Sequence, residues 1–215
     1  MRHTIIVNGV YSTTEVFTLG RALARKAKAY YKYLDTTLNV SHDLPLEVSD
    51  EYHTMGHIWQ QLISSERRGD YLGGTVQMIP HLTGLIKQWI MEYNRTVTVI
   101  GGVVGDLENQ AALDATRDMM DKHGAHVIMM APIIYLKSAG EIKTKPVQHS
   151  VRHLSGMGIR PTALCLNTDR KLLKGELKKI ALFTSVPESC IFENITTDEK
   201  NIKKLSRLTF NQKHI

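Results

Sequence analysis

The sequence predicts an α/β fold in three layers, a mostly parallel sheet with helices on both faces. Short apolar runs rich in β-branched residues recur along the chain, and stretches of helical periodicity alternate with them. That alternation is the pattern of strand–helix–strand units with a buried sheet. Length agrees: 215 residues with 42% apolar composition can bury one sizeable core, so residues 1–215 read as a single domain.

Residues 4–8 form a β-branched run and read as a first buried strand, followed by a turn at Gly9, Val10, Tyr11 and Ser12. Residues 19–34 favour helix, with Leu23, Ala27, Tyr30 and Leu34 as an apolar stripe at helical spacing. Residues 43–50 are a polar, proline-containing loop. Residues 55–65 are a second helix with Ile58, Trp59 and Leu62 on one side, and residues 66–77 a loop dense in glycine and charge. Residues 81–93 read as helix and residues 96–100 as a second buried strand. Leu107, Ala111, Ala115 and Met119 mark a helix that stops near Gly124. Residues 127–130 are a third strand, 150–154 a helix, 162–167 a fourth strand, 177–183 a helix, 190–194 a fifth strand and 201–208 a last helix.

Net charge is +6 and the isoelectric point about 9.3. Such a surface admits a nucleotide, a nucleic acid or an acidic protein as partner without choosing among them. Lys200, Lys203, Lys204, Arg207 and Lys213 make residues 196–215 a basic C-terminal segment. No apolar run approaches the ~18 residues of a membrane span. The first residues lead straight into a strand-like run instead of a signal peptide. Cys165 and Cys190 lie in apolar strand-like runs and read as buried, reduced thiols. A cytoplasmic or other reducing intracellular location is the expectation.

Residues 138–150 carry the most chemistry. Lys143 and Lys145 sit two apart, so in an extended segment both point to one side. Gln148 donates and accepts hydrogen bonds nearby. Two like point charges beside an amide suit a polyphosphate with one polar group, although the same residues also describe a solvated basic loop. Parallel sheets bind ligands beyond the C-terminal ends of their strands. The loops at Gly101, Lys143 and Asp169 all follow strands, so they should gather on one edge, which favours the binding reading.

Four segments in order resemble the amidoligase (synthetase) domain of the CTP synthase family: residues 67–81 (RRGDYLGGTVQMIPH), 101–108 (GGVVGDLE), 140–151 (GEIKTKPVQHSV), and 179–183 (KIALF) followed by Val186 and Pro187. The resemblance runs from about Tyr31 to about Ile195. It implies a P-loop, dethiobiotin-synthetase-like fold in which ATP and Mg²⁺ phosphorylate O4 of UTP and ammonia then displaces the phosphate to give CTP. It implies that Lys143, Lys145, Gln148 and Lys179 hold UTP, and that Asp106 and Glu108, with Gly102, stand at the pyrimidine nucleotide end where CTP also binds. Arg67, Asp70, His149 and Asp169 are further candidates. His81 and His149 fall inside the motifs, and Asp169 and Arg170 would reach the base or cap a helix.

The departures fall on one half of that site. No Gly-Lys follows the first strand; the nearest counterpart is Gly20-Arg21, which could imitate the lysine only if residues 13–18 were looped out. The segment expected to carry the next strand, an Asp-Pro-Tyr motif and a metal-ligating aspartate reads as deleted, with Glu15, Val16 and Phe17 as a scrap of it. Val99 stands where the family has a glutamate that ligates Mg²⁺, and valine offers no oxygen to a hard cation. No stretch resembles the glutaminase domain, and neither cysteine sits in its nucleophile motif. His53 and His57 are spaced i, i+4 near Asp50 and Glu51, but no third ligand accompanies them, so no metal site is expected. The Met119, Met120, Met129 and Met130 pairs read as core.

These observations predict a shortened CTP synthase synthetase-like domain, divergent over residues 1–30. It is expected to bind UTP or CTP, to lack catalytic residues, and to form a homo-oligomer or join a larger complex or a full-length enzyme. One alternative is an active subunit using ATP, Mg²⁺, UTP and ammonia, with its phosphate site completed by Arg21 or a partner chain. Another is a structural subunit of a ribonucleoprotein or an enzyme filament.

Overall fold

Complete burial on both faces of the central strands sets the architecture. A computed structural model describes residues 3–10, 15–38, 51–136, 138 and 140–195. In chain order these residues form β1 (His3–Asn8), α1 (Glu15–Ala27), β2 (Tyr30–Asp35), β3 (Tyr52–Thr54) and α2 (Met55–Arg67). After a π turn (Met78–Leu82) come α3 (Thr83–Met91), β4 (Thr96–Ile100), α4 (Gln110–His123), β5 (His126–Pro132), β6 (Ile134–Leu136) and β7 (Glu141–Lys143). The last elements are α5 (Lys145–Gly156), β8 (Ala163–Thr168), α6 (Lys174–Thr184) and β9 (Ile191–Ile195).

Seven strands form one sheet in the order β3-β2-β4-β1-β5-β8-β9, and every pairing in it is parallel. β6 and β7 form a separate antiparallel hairpin. Alternate side chains enter opposite apolar layers, as the pleat requires. Ile5, Val7, Val127, Met129, Leu164 and Leu166 face a layer built with α2 to α6. Ile6, Val97, Val99, Ile128, Met130 and Cys165 face the other, where Val16, Leu19, Leu23 and Ala24 of α1 pack. Both faces carry helix, as predicted, but among the described residues α1 covers its face alone. Met119, Met129 and Met130 lie in the core and Met120 packs against it. Among the described residues no helix is long and apolar enough to cross a membrane.

The helix expected over residues 19–34 is two elements. α1 stops at Ala27, Lys28 takes a left-handed conformation (φ 52°), and β2 follows. Tyr30 and Leu34 fit a helical stripe as well as a strand. The deciding alternation is Lys32 and Leu34 buried against Tyr31 and Tyr33 half-buried, and a lysine at a buried position disguised it. Glu15, Val16 and Phe17 are the first turn of α1, with Phe17 edge-on to Tyr33 at 4.7 Å. β3 and the β6–β7 hairpin had no sequence expectation; three-residue strands carry too little periodicity. The helix expected at 81–93 starts at Thr83. The helix expected at 150–154 runs over the whole of α5, because Pro146 suits a first helical turn. Gly124 ends α4 in a left-handed conformation as anticipated. The expected loop at 43–50 and helix at 201–208 lie outside the described residues.

Candidate functional site

The parallel order brings the ends of β1, β4, β5 and β8 onto one edge, the place where such sheets bind ligands. Asn8, the last residue of β1, ties this edge together. Its side-chain amide donates to the Gly102 carbonyl at 3.1 Å, and its own carbonyl accepts from the Val104 N–H at 2.9 Å. Gly102 has φ +69°, and a Cβ there would stand 2.5 Å from Thr36 Oγ1, so the position requires glycine. The Asp106 carboxylate accepts the Val103 N–H at 2.9 Å, and buried Asn109 donates to the Val103 carbonyl at 3.2 Å. Asp106 and Glu108 are themselves exposed. Asp106 therefore shapes the loop and also presents carboxylate to solvent at the edge.

After β5 the chain turns into the β6–β7 hairpin. Lys143 closes β7 and Lys145 opens α5, so the two lysines do not share one extended segment. They remain two positions apart, both exposed, at the positive end of a twelve-residue helix. The Ser150 hydroxyl donates to the Gly9 carbonyl and fixes α5 to the end of β1. Half-buried Gln148 holds Thr144 Oγ1 at 2.9 Å, which orients its amide beside the lysines.

Glu141 is the residue the sequence reading missed. Its carboxylate pairs with Lys143, and that hydrogen bond, then the field of Lys143 and of Lys179 on α6, holds it below the usual carboxylate range. Glu141 is thus the resident counter-charge of Lys143, with Lys179 a smaller influence from α6. Its place two residues before Lys143 in a strand was the signal available. Arg170, next to Asp169, is held by its neighbours. It grips Glu176 with two nitrogens at 3.0 and 2.7 Å and lies over the Tyr135 ring at 5.1 Å, joining the loop after β8 to β6. Asp169 and His149 are exposed near these elements.

Arg67 and Asp70 stand exposed at the end of α2. Asp70 pairs with Arg68 at 2.7 Å, a local surface pair. His81 packs edge-on to Tyr71 at 5.0 Å and accepts from the Gln77 N–H.

Among the described residues the side chains do not fit Mg²⁺-ATP in the manner the resemblance implies. Residues 9–14, between β1 and α1, contain no lysine. Val99 is fully buried in the α1 layer, its Cγ2 only 2.5 Å from where a Gly20 Cβ would lie. Residues 15–18 are helical and not looped out, and Arg21 lies over the Tyr31 ring at 5.4 Å, near the start of β2. That is the wrong end of the sheet for a phosphate-loop cation, so Arg21 does not complete the site. Among the described residues no three His, Cys, Asp or Glu side chains come together to hold a metal ion. Cys165 is buried, its thiol pushed up to about 12, while Cys190 is half-buried, more open than expected.

Residues 29–214 match the family described as CTP synthase N-terminus. The CTP synthase of Pyrococcus abyssi is 40% identical over 190 residues, 84% of this chain and 34% of that protein. That of Methanopyrus kandleri is 39% identical over 173 residues, 76% and 31%. That of Bradyrhizobium diazoefficiens is 42% identical over 147 residues, 65% and 27%. The chain spans about a third of the length of the curated relatives it matches.

Proposed function

Because the chain belongs to the CTP synthase N-terminal family, we propose that it binds a pyrimidine nucleoside triphosphate, UTP or CTP, and does not by itself aminate UTP with ATP. The triphosphate lies against Lys143, Lys145 and Lys179, with the α5 N-terminus behind it and Gln148 as a polar contact. Asp106 and Glu108 receive the ribose or base. The observation that carries this reading is geometric: Lys143 and Lys145 flank the start of α5, which Ser150 ties to the end of β1, at the sheet edge that also holds the Gly102 loop.

Phosphoryl transfer rests on positioning and on neutralising charge. Three observations support loss of that half of the chemistry: residues 9–14 contain no lysine, Val99 lies in apolar packing, and the family match begins at residue 29, leaving β1 and α1 outside it.

Titration calorimetry with UTP, CTP and Mg²⁺-ATP tests the proposal, together with a CTP-formation assay using ATP, UTP and ammonium. UTP and CTP are expected to bind, Lys143→Ala with Lys145→Ala to abolish that heat, and no CTP to form. Absence of pyrimidine nucleotide binding, or CTP made by the chain alone, would overturn the reading.

A further inference from the structure

At the opposite edge of the sheet, where the strands begin, two open cavities meet at Tyr30. One, of about 400 Å³, is lined by Lys28, Tyr30, Glu92, Tyr93, Asn94 and Arg95. The other, of about 320 Å³, is lined by Tyr30 with Arg21, Arg25, Tyr31 and Glu51 among others. The Tyr30 ring stacks on Tyr93 with centroids 3.7 Å apart and planes 17° apart, yet the residue is 54% exposed. One ring face is covered and the rest is open to solvent, an aromatic platform backed by a second ring.

Cations flank this platform on both sides: Lys28 and Arg95 in one cavity, Arg21 and Arg25 in the other. Lys28 and Arg95 are fixed near Tyr30 by the backbone, since Lys28 occupies the tight turn before β2 and the Tyr30 N–H donates to the Arg95 carbonyl at 2.9 Å. Two acids line the same cavities. Glu92 is neutralised by the buried Lys32, whose ammonium lies 2.6 Å away, and Glu51 faces the Arg21 side. The lining is net positive around one exposed ring.

We infer that this edge is a second binding site, for single-stranded nucleic acid: a base stacks on the open face of Tyr30, and the phosphates on its 5′ and 3′ sides meet the two cation pairs. Stacking on an exposed aromatic combined with a basic track is how single strands are held without sequence preference. A free nucleotide carries phosphate on one side of its base only and leaves one cation pair unused. The site is independent of the proposed pyrimidine nucleotide site, which lies beyond the other ends of the strands.

Fluorescence anisotropy of a 5′-fluorescein-labelled U12 oligonucleotide with the full chain tests it. Binding is expected at 50 mM salt and should weaken roughly seven-fold at 200 mM, as release of counterions from two phosphates dictates. Tyr30→Ala should weaken it by roughly ten-fold or more, and Tyr30→Phe should preserve it. Arg25→Glu with Arg95→Glu, both at exposed positions where folding is undisturbed, should abolish it. Lys143→Ala with Lys145→Ala should leave U12 binding intact while removing UTP binding, so failure at one edge is told apart from failure at the other. No binding of U12, or binding indifferent to the Tyr30 and arginine variants, overturns the inference. Displacement of U12 by UMP at matching affinity overturns its single-strand character.

Discussion

Glu141 makes a specific demand of the lysines around it. It is exposed and held ionised by Lys143, so a bound triphosphate must first take that lysine from it. Glu141→Gln therefore should tighten UTP or CTP binding a few-fold, read by calorimetry; unchanged or weaker binding would remove Lys143 from the triphosphate contact. Val99 gives the converse case. It is fully buried between α1 and the sheet, so Val99→Glu, which restores the carboxylate of the family pattern, puts an unpaired charge into apolar packing. The expected cost is about 3–5 kcal/mol in chemical denaturation, with no CTP formed from ATP, UTP and ammonium. A variant that folds with unaltered stability and makes CTP would show that one side chain alone separates this chain from catalysis.

At the scale of elements, the contacts between neighbours explain both stability and the misread boundary. Lys32 of β2 is fully buried, pairs with Glu92 at 2.6 Å and lies 4.7 Å from the Trp89 ring and 4.9 Å from the Tyr93 ring. It is a strand residue that reads as a surface lysine until α3 is packed over it. α3 and α4 are joined by Asp118, which accepts from Lys87 at 2.6 Å and Lys122 at 3.0 Å. Those hydrogen bonds hold its carboxyl down to about 2, against 3.8 for a free aspartate. A depressed folded value means the contribution is full above about pH 4 and is lost as pH falls toward 2. Asp118→Asn should cost on the order of 1 kcal/mol at neutral pH after solvent screening. It should also flatten the fall in stability between pH 4 and 2. An equally steep fall in the variant would mean the pair contributes nothing.

Across the whole molecule, the parallel sheet separates two ends with different character. One end gathers the Gly102 loop, the β6–β7 hairpin and the start of α5; the other presents Tyr30 among arginines and lysines. The ends are separated by the length of a strand, roughly 17–20 Å for five or six residues. Sequence was enough for the fold class, the four family segments and the absence of a lysine from residues 9–14. Each is written in local composition: an apolar run long enough to be a strand, a glycine before a turn, a lysine that is absent. Only the tertiary structure decided that Lys143 and Lys145 fall on either side of a strand–helix junction, that Lys179 acts on the same carboxylate, and that Arg21 points away from the expected phosphate site. Those facts depend on which strands become neighbours and how helices lie across them. Pairing of that kind joins residues dozens of positions apart, and periodicity within one segment carries no record of it.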